Sequence, residues 1–254
     1  MISRTTLAEP MQASAFEFRN RSFIITGLFL GVFSLYAFGD QSLVLALLTW
    51  LKPFAVLGPA QIARTLFGLG AILALLCALI RSWAAAYLNT YIVHDQQLHT
   101  SRLVADGPYR HLRNPLYLGT ILLSLAFVPM TSRFGAPVLV AGVAAFVYRL
   151  IRREESEMAR SQGQAFRDYC DAVPRLLPSL APRVPPSGNK PSWLQGFVGE
   201  TMMWGFFVAL AGFAWTLDPR VYGFGVTLAL LASVAVKATV WRRPKEAVGQ
   251  VVSR

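Results

Sequence analysis

Gly107-Pro108-Tyr109-Arg110-His111-Leu112-Arg113-Asn114-Pro115-Leu116-Tyr117-Leu118-Gly119 decides the reading of this chain. Cationic, polar and aromatic groups crowd together here and stop where a long apolar run begins at Leu116. Asp106-Gly107-Pro108 reads as a turn, because Gly and Pro both interrupt helices. Pro115 fits the first turn of the helix that follows, where its missing N–H costs least, and Asn114 is placed to cap it. The positive end of that helix points at whatever lies beside Arg113 and Asn114. With Arg110, His111 and Arg113 adding donors, the segment is suited to hold a carboxylate or phosphate. A positive anchor with an interfacial Tyr is the plainer reading of the same residues.

Outward from this stretch the chain is a membrane protein. Hydrophobic residues make up 54% and charged residues 15% of its 254 positions, and the mean hydropathy is +0.46. Ser22–Gly39, Ile62–Ile80, Leu116–Met130 with its flanks, Gly135–Ile151, Phe197–Leu217 and Val221–Val240 each approach the ~20 residues that cross a bilayer as a helix. The expected fold is an all-α polytopic membrane protein with about six transmembrane helices and a cytoplasmic cofactor pocket. Basic residues gather before the first run, in 81–113, in 149–190 and at the C-terminus. The positive-inside rule places all four, with both termini, in the cytoplasm. Ser42–Gly58, with Lys52-Pro53 inside it, then reads as an interfacial or re-entrant helix on the far side. No cleavable signal peptide is expected, because the first apolar run lacks a small-residue cleavage site.

By texture, residues 1–60 are an accessory span plus that interfacial helix, and 61–180 are the core. Residues 181–191 form a Pro-rich connector, 192–241 a transmembrane hairpin turned at Asp218-Pro219, and 242–254 a basic tail. The net charge of +11 is accounted for by topology and anionic lipid heads, so nucleic acid is not an expected partner. Cys77 and Cys170, and the histidines His94, His99 and His111, lack metal-ligand spacing, so no metal site is expected.

A second cluster, Arg149-Leu150-Ile151-Arg152-Arg153-Glu154-Glu155-Ser156-Glu157, lies where a span leaves the membrane. Glu154 falls one turn beyond Leu150 and can face the span interior, where a carboxylate needs a cationic partner. A solvated face laced with ion pairs explains Glu157, Arg160 and Arg167. Beyond it stand Phe166, Tyr169 and the run Val173-Pro174-Arg175-Leu176-Leu177-Pro178.

Taken in order, these blocks resemble the isoprenylcysteine carboxyl methyltransferase and phospholipid methyltransferase family. Its pattern runs Gly-Pro-Tyr-Arg, Arg-His/Asn-Pro-x-Tyr-x-Gly, a Glu-Glu pair, and a closing Val-Pro-Arg-x-x-Pro. Arg81, Trp83, Ala84, His99 and Thr100 fit upstream, so the likeness covers roughly residues 62–180. Phe166 and Gln162 depart from the pattern. The resemblance implies a membrane-embedded enzyme that uses S-adenosyl-L-methionine on a lipophilic or small methyl acceptor, an isoprenylcysteine-type carboxylate favoured over a phospholipid amine or small thiol. It implies that His99 and the loop to Val104 border the adenosine. Tyr109, His111, Arg113, Asn114, Pro115, Tyr117 and Gly119 would line the cofactor. Glu154 or Glu155 would hold its amino group, and Arg149 or Arg152, paired with Glu154, would orient the acceptor. The rival readings are an NADPH-dependent membrane reductase, a transporter, or a non-catalytic relative. The lipid bilayer is the other expected partner, and the oligomeric state is left open.

Overall fold

The computed structural model describes residues 12–39, 41–52, 56–88 and 105–240. His99 and Val104, with His94, lie outside the described residues, as does the basic tail 242–254. Among those described, α-helices account for the architecture: α1 (Ala15–Arg19), α2 (Arg21–Gly31), α3 (Leu43–Leu51), α4 (Pro59–Tyr87), α5 (Pro115–Phe127), α6 (Gly135–Gln162), α7 (Gln164–Ala172), α8 (Trp193–Gly199), α9 (Thr201–Thr216) and α10 (Pro219–Val240).

Arg21–Phe38, α4, α6 and Pro219–Val236 are long and apolar enough to cross a bilayer, and the chain is a multi-pass membrane protein. The six apolar runs are not six equal helices. Pro115–Met130 is a shorter apolar helix that reaches roughly 24 Å at ~1.5 Å per residue, against a hydrocarbon core of ~30 Å. Its flanks do not lengthen it, because Pro115 fixes its start and Val128–Met130 tightens into a 3-10 turn. The run Phe197–Leu217 is broken as well: α8 and α9 meet at 61°, with Glu200 capping both. α3 has only 9 residues. Its start bonds to the turn after α5, through Leu43 N–H to Thr131 O at 2.9 Å, at the end of α5 opposite the Gly107–Gly119 cluster.

Small residues let the helices close on one another. Ala71, Ala74 and Cys77 on α4 face Leu123, Ala126 and Phe127 of α5, Leu139, Val143 and Val147 of α6, and Leu210 of α9 in one buried core. Phe127 sits between the rings of Phe29 and Phe206, edge-on to each at 5.4 and 5.3 Å, a favoured aromatic geometry. α10 returns from α9 through Leu217, which takes a left-handed conformation at φ 56° just before Asp218-Pro219. Asp218 Oδ1 then accepts from Arg220 N–H at 2.9 Å, so the expected turn is present.

The hairpin is seated on the last turns of α4. Gly196 lies so close to Ser82 and Ala86 that a Cβ would stand 2.9 Å from the Ala86 nitrogen. Trp204 Nε1 donates to Ser82 Oγ at 2.9 Å, and Ser192 N–H to Ala86 O at 2.7 Å.

Candidate active site

The Gly107–Gly119 segment folds as its residues dictate. Gly107 has φ +55°, and an added Cβ would run into the Tyr87 ring, so the backbone conformation and the neighbour both select Gly. A 3-10 turn over Gly107–Arg110 leads to α5, with Pro115 in its first turn. Asn114 is the N-cap residue, but its side chain makes no capping bond. Its amide instead donates to Arg175 O at 3.2 Å and Glu155 Oε1 at 3.4 Å.

The donors expected to hold an external anion are largely occupied by the chain itself. Arg110 Nε donates to Val184 O at 2.8 Å, and Arg113 Nη1 to Cys170 O at 2.9 Å. His111 Nδ1 lies 2.8 Å from Ser179 O. A carbonyl only accepts, so Nδ1 carries a proton. The Trp83 ring stands beside it, centroid to centroid 6.0 Å.

Residues 174–189 run back along the cluster as a strap. Arg113 N–H donates to Pro174 O at 2.8 Å, Ser179 N–H to His111 O at 3.0 Å, and Arg183 N–H to Arg110 O at 2.8 Å. Asp106 fastens the far end, accepting from Ser187 N–H at 2.7 Å and from the Asn189 amides at 3.0 and 2.8 Å. Burial opposes its ionisation, yet the Asn189 and Ser187 bonds outweigh burial and hold the carboxyl below its usual range. The Pro-rich connector is therefore an ordered part of the site.

The two adjacent carboxylates of α6 have different surroundings. Glu155 Oε2 accepts from Arg175 Nε at 3.0 Å and Nη2 at 2.8 Å. Its Oε1 pairs with Arg113 Nε at 3.2 Å, an ion pair without hydrogen-bond alignment. Glu155 thus ties the cluster, α6 and the Val173–Pro178 block into one knot, in which two guanidinium groups share one carboxylate. Glu154 accepts one hydrogen bond, from the Tyr117 hydroxyl at 2.8 Å. Tyr109 is buried and its hydroxyl has no partner among the described residues, while its carbonyl accepts from the Tyr169 hydroxyl at 2.7 Å. Burial first, then the nearby Tyr169 and Glu154, raise the Tyr109 phenol far above its ordinary value, so it is a neutral donor.

Gly119 does not open onto a pocket. A Cβ there would overlap the stem of Arg81, with Cδ at 2.7 Å. Arg81 crosses this gap to Glu200, donating from Nε at 2.7 Å and Nη2 at 2.9 Å. Its Nη1 reaches Leu116 O at 3.1 Å and Thr120 Oγ1 at 3.2 Å. Glu200 is almost fully buried. α4 carries two arginines, Arg64 and Arg81, and the hairpin two carboxylates, Glu200 and Asp218, so the sequence alone does not single out this pair.

Arg149 turns to the N-terminal segment, donating to Glu17 Oε2 at 2.8 Å, and Arg153 joins it there on Ala13 O at 2.9 Å. Five positions on a helix place Arg149 about 140° from Glu154, which directs it away from that carboxylate and its Tyr117 partner. Arg152 lines an open cleft of about 520 Å³ between α6 and α7, with Glu155, Arg160, Phe166, Arg167 and Cys170. Pro115 is buried at the foot of α5. No group of three or more His, Cys, Asp or Glu side chains is arranged for a metal among the described residues.

With this geometry in view, residues 70–160 match the Isoprenylcysteine carboxyl methyltransferase (ICMT) family, the family whose blocks the sequence resembles. The match includes the cluster, α5 and most of α6, and lies upstream of the strap and the hairpin. The chain is also similar to the "Cobalt-zinc-cadmium resistance protein CzcN" of Cupriavidus metallidurans, 26% identical over 133 residues. That alignment covers 52% of this chain and 53% of the relative, so the chain spans about half the length of the curated relative it matches. No solved structure matches.

Proposed function

We propose that the chain is an integral membrane methyltransferase that uses S-adenosyl-L-methionine on a lipophilic or small acceptor, with an isoprenylcysteine-type carboxylate first among the acceptors. The observation that carries this reading is a pair of groups with unused capacity. Among the described residues, the Tyr109 hydroxyl is buried without a partner, and Glu154 accepts only the Tyr117 hydroxyl. The match of residues 70–160 to the methyltransferase family supports the same reaction class.

The residues fit the cofactor's charges. Glu154 can take an ammonium group, and Tyr117 fixes the carboxylate that would do so. Glu155, already shared by Arg113 and Arg175, has little left to offer an amino group. Those two cations on one carboxylate leave local positive charge suited to a methionine carboxylate, and the Tyr109 hydroxyl adds a donor. His99 and Val104 keep their place beside the adenosine as part of the proposal. When bound, S-adenosyl-L-methionine supplies an electrophilic methyl group for in-line displacement.

What remains for the chain is to align and to dry the site. Tyr109, Tyr117 and the apolar core beneath them exclude water, which strengthens electrostatic contacts there. An anionic acceptor needs no proton removed. For an amine acceptor, the His111 ring or Glu154 is the candidate base. Arg152 lines the cleft beside α7 and lies about 160° around α6 from Glu154, so neither it nor Arg149 is assigned to orient the acceptor. The basic segments that flank the spans support a cytoplasmic position for this face and both termini.

Calorimetry on the purified full chain in detergent tests the reading. S-adenosyl-L-methionine is expected to bind and NADPH not to bind. A folded protein with no affinity for the former would sink the proposal, and affinity for NADPH alone would move it to the reductase class.

A further inference from the structure

The bent pair α8–α9 of the hairpin lies outside the segment that matches the family, yet it supplies the counter-charge for a residue inside that segment. Arg81 stands in an apolar helix, and every donor group of its fork is engaged. Nε and Nη2 go to the two oxygens of Glu200, and Nη1 goes to Leu116 O and Thr120 Oγ1. Thr120 Oγ1 also donates to Leu116 O at 3.2 Å. A single guanidinium thereby joins the bend between α8 and α9 to the first turn of α5, one residue from Tyr117. Gly119 is the gap through which the stem passes.

We infer that Glu200 is a positioning residue for the site: acting through Arg81, it holds the first turn of α5 so that the Tyr117 hydroxyl meets Glu154. This rests on the function proposed above. The reason is geometric. A fork satisfied on both oxygens admits one orientation of the guanidinium, and that orientation presents Nη1 to the Leu116 carbonyl. Without the Glu200 charge, Arg81 is a cation in an apolar setting and turns toward water or lipid heads. The first turn of α5 then loses its lateral anchor, and Tyr117 moves with it. On this view the hairpin is a working part of the site as well as a membrane-spanning scaffold.

Glu200→Gln tests the inference, because it keeps the side chain's length and one carbonyl acceptor and removes the charge. Two readouts are taken on the full-length protein in detergent: amide hydrogen exchange over residues 116–120, and calorimetric affinity for S-adenosyl-L-methionine. The expected result is faster exchange at 116–120, unchanged exchange in α6, and affinity weakened roughly tenfold. Glu200→Asp, which retains the charge on a shorter stem, is expected to recover part of both. Wild-type exchange at 116–120 in a folded Gln variant overturns the inference. Faster exchange with wild-type affinity also overturns it, since Glu200 then secures only the hairpin. If the Gln variant does not fold, Thr120→Val removes one contact of Nη1 while leaving the ion pair, and the same outcomes apply. Absence of affinity in the wild-type protein sinks the proposed function instead, and exchange at 116–120 then decides the anchoring by itself.

Discussion

Arg175 grips Glu155 from both Nε and Nη2, at 3.0 and 2.8 Å to one oxygen, while the neighbouring Glu154 is left to a single Tyr. The two carboxylates are one residue apart and perform different tasks. Glu155→Gln is expected to lower stability by about 2–4 kcal/mol, since Arg113 and Arg175 would share a low-dielectric site without their counter-charge. Glu154→Gln is expected to leave unfolding within about 1 kcal/mol of wild type and to abolish measurable affinity for S-adenosyl-L-methionine. Chemical denaturation paired with calorimetry separates the two, and a reversed pattern refutes the assignment.

Tyr117→Phe removes the one hydroxyl that orients Glu154. The expected loss in cofactor affinity is roughly tenfold, the effect of a hydrogen bond to a charged group. The ring still fills its space, so the melting temperature should stay near that of wild type. An affinity equal to wild type would detach Tyr117 from the site.

Arg149→Ala is expected to leave cofactor binding unchanged and to loosen the N-terminal segment. Its pair with Glu17 is partly exposed, 39% and 23%, so the cost is at most about 1 kcal/mol. Limited proteolysis ahead of α2 should quicken in the variant. A fall in turnover with intact folding would return Arg149 to the reaction.

The strap should respond to acid. Hydrogen bonds from Asn189 and Ser187 hold the Asp106 carboxyl below its ordinary value against the pull of burial. A depressed carboxyl contributes stability that is complete above its unfolded value near 3.9 and is lost as pH falls through its lower folded value. Hydrogen exchange at 187–189 is therefore expected to rise below about pH 4 in the wild type. Asp106→Asn should exchange faster at neutral pH and lose that acid-dependent step. A wild-type profile for the variant would rule out the carboxylate as the fastener.

Gly107→Ala combines a left-handed backbone position with a collision against Tyr87. The backbone alone costs about 1–2 kcal/mol, and the collision adds to it. Thermal unfolding is expected to show a clear destabilisation, partly recovered when Tyr87 is also cut to Ala.

Much of the architecture could be read from residue patterns. Pro115 does open α5, the apolar runs became helices, and Glu155, though not Glu154, meets Asn114 and Arg175 of the Val173–Pro178 block. The local grammar failed where distant residues competed. Asn114 was an obvious cap until Arg175 O and Glu155 drew its amide away. Arg110 and His111 looked like ligands for an anion because the carbonyls that take their protons lie about 70 residues downstream and carry no side-chain signature. The sequence turned Glu154 toward the span interior but left either Glu to hold the cofactor's amino group, since only the tertiary closure of Arg175 onto Glu155 separates the two in that role. Glu200 was visible as a charge inside the Phe197–Leu217 run, a pattern that asks for a partner, but Arg81 shares α4 with Arg64 and stands 119 residues from Glu200.

That separation bears on how the protein is made. Arg81 enters the bilayer well before Glu200 has been synthesised. At ~5–20 residues per second the interval for 119 residues is about 6–24 s. During that time the nascent helix must shelter an unneutralised cation, and its place only six residues from the end of α4 at Tyr87 lets the guanidinium reach the interface while it waits. Biogenesis therefore has a final step of its own, in which arrival of the last hairpin draws Arg81 inward and sets the first turn of α5.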